Sequence, residues 1–566
     1  MGKSEFSRHP IGVFRKMPAR QYNKQSTIKV DSFLNALKDN VQTNGTFDSA
    51  GATSFVNEAL SRNEVQVPEA LQGVLDSVSD AEANDIVRAI YDGANAYERE
   101  HGQAMPADVL EQALHSAYST TPEGQRIALD ATGSSLESAQ AYQSNRALVA
   151  ILATTTEAIP FVHYLPADIK SNQAKLAILE HTTGSKAGSY AEGGLLDGAH
   201  SGERFISSAR DHVLTHGENG ALTGKITAIQ ATPDKCDPQG TAVKLVRGST
   251  IIYVNGLKVA QEVSSSRSAN SPISGTVTIG STLHAISGSV NTDNGEISIV
   301  ATPALPTTVE VLAEGFIDYE RQEDLTPTII TGVETFDLFA NSWRAVTRQS
   351  IDSRTQMANE LGLDSHSEGI IAIQAQFANE RHYDVLRKAR RVAVCNRETF
   401  DFNWTNAGEF KVRSDIWRDF SGVLGAVSQK MALLTMNHGV THLYVGEKVA
   451  AQMQGLPNDI WQSSGITARA GIYRVGKLFG KYDVYYTPRG VHEEQESAEI
   501  LCVGQATDVT RNAFILGDAV APTVLPLAMN SDLKTGAAYY ARNFTAVNPH
   551  KHSAQGAALI TVTNLF

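Results

Sequence analysis

The residues whose types and spacing could do chemistry are few and scattered. The loop HEEQESAE sets His492, Glu493, Glu494, Glu496 and Glu499 close together, a donor set able in principle to hold a divalent cation. Metal ligands, however, must be oriented by hydrogen bonds from a supporting layer, and a flexible charged loop supplies none, so the expectation is a solvated acidic loop. His200, His212 and His216 cluster loosely and His550 and His552 flank Lys551, but no histidine lies in an H-E-x-x-H pattern or beside a cysteine pair. No G-x-S-x-G elbow supports a serine hydrolase. Cys236, Cys395 and Cys502 are odd in number and far apart, which argues against a disulfide framework and leaves each as a small buried hydrophobe. Gly184, Gly188, Gly193, Gly194, Gly198 and Gly202 match neither nucleotide-binding glycine pattern, so they predict a mobile loop. NTDNGE lacks the remaining ligands and flanking helices of a calcium loop and predicts a hairpin turn. No catalytic residue, metal ligand or cofactor is therefore expected, and the chain is read as a non-enzyme.

With no site to position, the elements themselves carry the information. From Ser365 to Val394 the sequence predicts one long amphipathic helix. Ser365 and Glu368 form a capping box, apolar residues recur at Ile370, Ile373 and Phe377 and at Ile371, Ala378, Val385, Ala389 and Val392, and Arg387, Lys388, Arg390 and Arg391 gather at the end where the helix dipole favours cations. A second helix is predicted over 414–437, capped by Gly439, followed by the strand THLYVG, a short helix EKVAAQMQGL and the hairpin YRVGKLFGKYDVYYTP. AEILCVG, NAFILGD and AALITVTNLF are strand-like. Residues 326–338 predict a strand, and 343–361 a shorter helix or irregular lead-in. Residues 219–320 are rich in short alternating strands, with hairpin turns at Asn255-Gly256 and Asn294-Gly295. Residues 31–130 carry helical spacing, with a break at an acidic turn over 80–85, and a Ser, Gly and Ala-rich linker follows. The class is α+β, with helices on one face of a mostly antiparallel sheet in the C-terminal half.

At 566 residues the chain exceeds a single core and predicts three or four units. No window reaches the ~18 uncharged apolar residues of a membrane helix, and the start lacks the apolar core of a secretory signal, which predicts a soluble protein made inside the cell. The net charge of −13 is uneven: residues 1–30 hold seven basic residues against Glu5 alone, while residues 31–140 hold eighteen acids against five bases. A basic arm before an acidic module predicts docking between chains or contact with a polyanion, the plainer alternative being a disordered tail and a solvated surface.

The order of parts resembles the major capsid protein of tailed bacteriophages, the Hong Kong 97-type fold, and in particular the large head proteins of contractile-tailed phages. NHGVTHLYVGEKVAAQM and GKLFGKYDVYYTP carry the resemblance in the C-terminal half, and STIIYVNG, GSVNTDNGEISIV and TVEVLAEGFIDYE are similar to a domain inserted in the extended loop. The acidic helical domain (31–131) is a departure that the family's common core lacks; around it the resemblance implies that the basic segment 1–30 is an N-terminal arm, followed by a linker and extended arm (132–175), the outgoing extended loop (176–218) and a β-rich insertion domain (219–320). It then implies a return strand and peripheral domain with the spine helix (321–400), an axial domain (401–500) and closing strands of both (501–566).

It further implies a shell subunit in hexamers and pentamers around double-stranded DNA, partnered by itself and by scaffold, portal and decoration proteins, with no membrane. The phage head would assemble in the host bacterial cytoplasm. Assembly contacts are expected at Arg15, Lys16 and Arg20 in the arm and at Lys186, Tyr190 and Glu192 in the loop. In some shells of this fold a lysine forms a covalent cross-link to an asparagine; Lys186 stands where that lysine would be. Two alternatives stay open: a vertex subunit of the same fold, which copy number distinguishes, and a cytoplasmic enzyme with a β-rich binding insert, which a pocket of convergent perturbed acids and bases would reveal.

Overall fold

The computed structural model describes residues 32–37, 42–43, 46–47, 67, 71, 80–118, 152, 154, 157–167, 171–263, 268–362, 365–403, 412–529 and 533–565. The arm at 1–30 and the proposed linker up to 151 lie outside the described residues. The chain is mixed α and β and divides into two compact units, one of Met1–Ile178 with Thr335–Phe566 and the other of Leu179–Glu334.

In the first unit, α1 (Asp80–His101) and α2 (Ala107–Tyr118) come early. The acids at 80–85 do not break the helix as expected. They form its first turns, where carboxylates are favoured by the positive end of the dipole. Neither helix closes a core of its own: Ile86, Val87, Ile90, Val109 and Leu110 share one buried cluster with Val385, Leu386, Tyr444 and Leu501 from much later in the chain. The expected acidic helical domain is thus packed on the C-terminal half, because each helix has an apolar stripe too narrow to be buried without it.

Strand β1 (His163–Tyr164) and the first half of β2 (Gln173–Thr183) follow. The second unit then builds a nine-stranded antiparallel sheet from β3 (Ala209–Val213), β4 (Thr215–His216), β5 (Ala221–Lys225), β6 (Ile251–Val254), β7 (Leu257–Glu262), β8 (Asn270–Ile279), β9 (Thr282–Asn291), β10 (Glu296–Thr302) and β11 (Val311–Phe316). Its order is β3-β11-β6-β7-β8-β9-β10-β5-β4. Asn255-Gly256 and Gly295 turn with positive φ, as the hairpin signals predict. The unit is wider than the 219–320 insertion expected from alternation, since β3 and β4 belong to the sheet. The glycine-rich stretch is folded into it: Thr182 bridges Leu195 and Ala187 bridges Tyr190. At Gly188 (φ 56°) a Cβ would lie 1.9 Å from the Arg204 carbonyl oxygen, so here glycine permits close packing of backbone rather than motion.

The chain returns through β12 (Ile329–Phe339), which pairs with β2. The lead-in expected over 343–361 is helical only in its second half, Ile351–Leu361, while its first half belongs to strand β13 (Asn341–Ser350). Trp343, Ala345 and Thr347 alternate inward, and the strand pairs along its length with β21 (Lys534–Val547). Helix α3 (Ser365–Val392) is the long rod predicted, about 42 Å at 1.5 Å per residue. Its buried ladder is Phe377, Arg381, Val385 and Ala389, whereas Ile371, assigned to the stripe by spacing, is 55% exposed. The Ser365 side chain, half of the proposed capping box, lies outside what is described.

After β14 (Arg397–Asp401) come α4 (Arg413–Thr435), β15 (His442–Val445), α5 (Glu447–Gln454) and β16 (Trp461–Ser463). Strands β17 (Tyr473–Leu478), β18 (Tyr482–Tyr486), β19 (Ser497–Val503), β20 (Phe514–Leu527), β21 and β22 (Ala557–Thr563) complete the unit. Helix α4 ends on Met436 in the left-handed conformation, not on Gly439 as expected. Gly439 instead lets the chain pass Ser428, whose Oγ a Cβ would approach to 2.3 Å.

Two sheets result, β13-β21-β20-β1 and β14-β22-β19-β15-β18-β17-β16. The second is covered on both faces rather than one. Leu443, Val445, Val484, Ile500 and Ile560 face Trp417, Phe420 and Leu424 of α4, while the alternate Tyr444, Tyr485, Leu501 and Leu559 face α3 and the N-terminal helices. Burial on both faces is why these strands read as continuous apolar runs.

Candidate functional site: exposed apolar surfaces and a buried polar joint

Of the six sequence-predicted assembly residues, three fall among the described residues. Arg15, Lys16 and Arg20 lie outside the described residues. Lys186 and Glu192 are exposed, and Tyr190 is half-buried, its ring edge-on to Phe205 at 5.6 Å and its hydroxyl donating to the His200 carbonyl. These three share a loop in the second unit.

The acidic loop 492–499 is not merely solvated. Glu493 accepts from the backbone N–H groups of Lys448 (3.1 Å) and Val449 (3.2 Å), capping α5 from across the fold, and Gly446 leaves the room it needs. Glu499 lies 2.7 Å from Arg390 of α3. The remaining sequence candidates are tied into the fold: His216 to the Val309 carbonyl, His212 Nδ1 to the Cys236 N–H, His550 Nδ1 to the Ser553 hydroxyl. Asp293 of the hairpin turn pairs with Arg321. Cys236 and Cys502 are buried as expected, but Cys395 is exposed, because it sits in the turn that ends α3. Among the described residues no group of three His, Cys, Asp or Glu could hold a metal ion, and no helix is long and apolar enough to cross a membrane.

What the structure assembles that sequence reading missed is a buried polar joint. Arg381 interrupts the apolar ladder of α3 and lies 2.9 Å from Asp518 of β20, both side chains nine-tenths or more buried. Gln112 of α2 donates to the other Asp518 oxygen at 2.9 Å. Asp108 of α2 accepts from the Tyr164 N–H at 2.6 Å and lies 3.1 Å from His163, whose Nε2 is 2.8 Å from the Ala506 carbonyl. Burial disfavours the His163 cation, yet the Asp108 carboxylate raises its pKa overall. Burial pushes Glu157 up to about 7, with Arg381 opposing. The signal for this joint was available: a charged residue at an i+4 position of a buried stripe needs a partner in the core. Chemically the joint binds elements to one another and holds no open space for a substrate.

Two open spaces differ in character: one of about 290 Å³ in the second unit is lined by Asp211, Tyr253, Glu310, Leu312 and Glu314, and the other is mostly apolar with Arg344, Gln376 and Glu380 at its edge. Between α3 and β13 an open groove of about 260 Å³ is lined by Trp343, Ala345, Ala372, Ile373, Phe377 and Tyr539. Strand β12 exposes Ile329 (50%), Ile330 (55%), Val333 (62%) and Phe339 (62%).

No protein-family profile and no curated protein sequence matches this chain. Solved structures do. The chain is similar to the jumbo bacteriophage PhiKZ capsid (10% identity, 71% of this chain and 91% of that one, TM-score 0.35). It is also similar to the capsid of Myoviridae phage XM1 (9%, 42% and 78%, TM-score 0.28) and to an encapsulin from Synechococcus elongatus (10%, 43% and 79%, TM-score 0.26).

Proposed function

We propose that this protein is the major capsid subunit of a tailed bacteriophage head, self-assembling in the host bacterial cytoplasm into hexamers and pentamers of an icosahedral shell around double-stranded DNA. The fold is then of the Hong Kong 97 type, with α3 as spine, the β14-to-β16 sheet as axial domain and the unit at Leu179–Glu334 as an insertion carried on an extended ribbon. The observation that carries the reading is the exposed β12. A strand with Ile329, Ile330, Val333 and Phe339 at half exposure or more is an aggregation hazard on a lone subunit and a contact surface in an assembly. The groove of Trp343, Phe377 and Tyr539 adds a second uncovered apolar surface. Both are covered by neighbouring copies, and the basic arm lies on a neighbour's acidic surface, where ordering it is offset by new contacts. Lys186, Tyr190 and Glu192 belong to the same contacts. Scaffold, portal and decoration proteins are the expected partners, and the net charge of −13 keeps the shell's hold on packaged DNA weak and non-specific.

Negative-stain electron microscopy of the purified full chain tests this directly. Closed shells or rings of five and six are expected; a monodisperse monomer at high concentration would overturn the reading.

A further inference from the structure

The first unit contains a box of aromatic rings that closes only when α1 is seated. The rings of Tyr97 and His101 of α1 lie 4.5 Å apart, tilted by 52°, and His101 Nδ1 lies 3.1 Å from the Tyr485 hydroxyl of β18. His442 of β15 lies 5.9 Å from Tyr485 and 6.1 Å from Phe161. His382 of α3 reaches the Tyr444 hydroxyl at 3.1 Å, and Tyr444 stacks on Tyr485 at 5.3 Å. Three histidines from three elements therefore share one enclosure, and among the described residues none of the three has a carboxylate within ion-pair distance. Cations do face them. Arg474 of β17 packs its guanidinium against Gly102, next to His101, and Lys477 lies on the same strand. Of the acids around the box, Asp483 of β18 is taken up by both, at 2.8 Å and 3.7 Å, Glu100 at the helix end pairs outward with Arg469, and Asp108 of α2, which acts on Tyr97, is held by His163.

We propose that α1 is an acid-released latch: protonation of His101 and His442 unseats it from the sheet while α2 stays held through Asp108 and His163. The physical cause is the enclosure itself. A second and third positive charge beside Arg474 and Lys477, in a buried enclosure whose neighbouring acids are already paired, is stabilised only when the box opens. Consistent with this, burial pushes His101 down to about 4 and His442 down to about 3. The Asp108–His163 contact responds oppositely, since its histidine pKa is raised and the charged pair persists in acid. Release would uncover Tyr444, Tyr485 and Leu501, a surface otherwise inside the subunit. The proposal concerns the subunit alone and stands whether or not the chain builds a shell.

Each of the two histidines that gains a proton on opening weakens the seat about tenfold per pH unit below the ordinary histidine value, so together about a hundredfold. Hydrogen exchange of the full chain at pH 6 and pH 5, corrected for intrinsic rates, reads this. Amides of α1 should lose about a hundredfold protection over that unit while those of α4, on the opposite face of the sheet, hold. His101→Phe should reduce the slope to about tenfold, and the pair His101→Phe with His442→Phe should flatten it. If the variants do not fold, the wild-type chain labelled with ¹³C-histidine still decides the matter. The His101 and His442 rings should titrate only together with loss of α1 protection. Rings that titrate while α1 stays protected, or protection lost equally in α1 and α4, would overturn the proposal.

Discussion

Arg381 and Asp518 show how a single buried charge organises its surroundings. Removing one partner leaves the other uncompensated in the core, so Arg381→Leu is expected to lower the unfolding free energy by about 3–5 kcal/mol. Replacing both, Arg381→Leu with Asp518→Leu, should recover most of that loss, and urea denaturation of the three chains measures the difference. The buried histidines set the pH dependence. His101, His438 and His442 have native pKa values lowered to about 4, about 4 and about 3 by burial, against 6.5 unfolded. Between pH 6.5 and 4 the unfolded chain therefore binds more protons at these positions, and stability falls as pH falls. His163 and Glu157 act in the other sense: their native values are raised, so their contributions are full in acid and fade as pH rises through those values. His382, likewise lowered by burial to about 3, acts in the same sense as the first three, and four groups against two leave a net loss on acidification, expected as a urea midpoint lower at pH 5 than at pH 7.5. A midpoint that rises would contradict the burial of these histidines.

At the scale of elements, the acidic loop 492–499 was legible as charge but not as structure. Glu493 caps a helix that begins more than forty residues earlier, and no local pattern announces a cap delivered from elsewhere. Glu493→Ala should cost about 1 kcal/mol, with exchange quickening first at Lys448 and Val449. Strand β21 was missed for a related reason. Two of its inward residues, Ala537 and Ala541 on either side of Tyr539, are alanines, which favour helix over strand and blur the alternation that would mark it. The long helix, by contrast, was readable almost to the residue, since its spacing, its basic end and its freedom from proline all agree.

For the whole molecule the predictions concern association. Val333→Asp places a charge on the exposed strand without touching a buried contact, so it should leave thermal unfolding of the subunit unchanged while abolishing higher-order particles in micrographs. Deleting residues 1–30 should impair particle formation while leaving the monomer folded, as circular dichroism and micrographs of the truncated chain would read. Intact particles from the truncated chain would exclude the arm from assembly.

The sequence by itself determined what is local or periodic: the spine helix, α4 and its following strand and helix, the Asn-Gly hairpins, the uneven charge and the lack of any motif for catalysis. Those features depend on residues within a few positions of one another, which is the range over which side-chain spacing has meaning. The tertiary structure alone decided that α1 and α2 close the same core as α3, that both faces of the β14-to-β16 sheet are covered, and that Arg381 finds Asp518. Each depends on contacts between residues tens to hundreds of positions apart, where only the packing of complete elements can specify the partner.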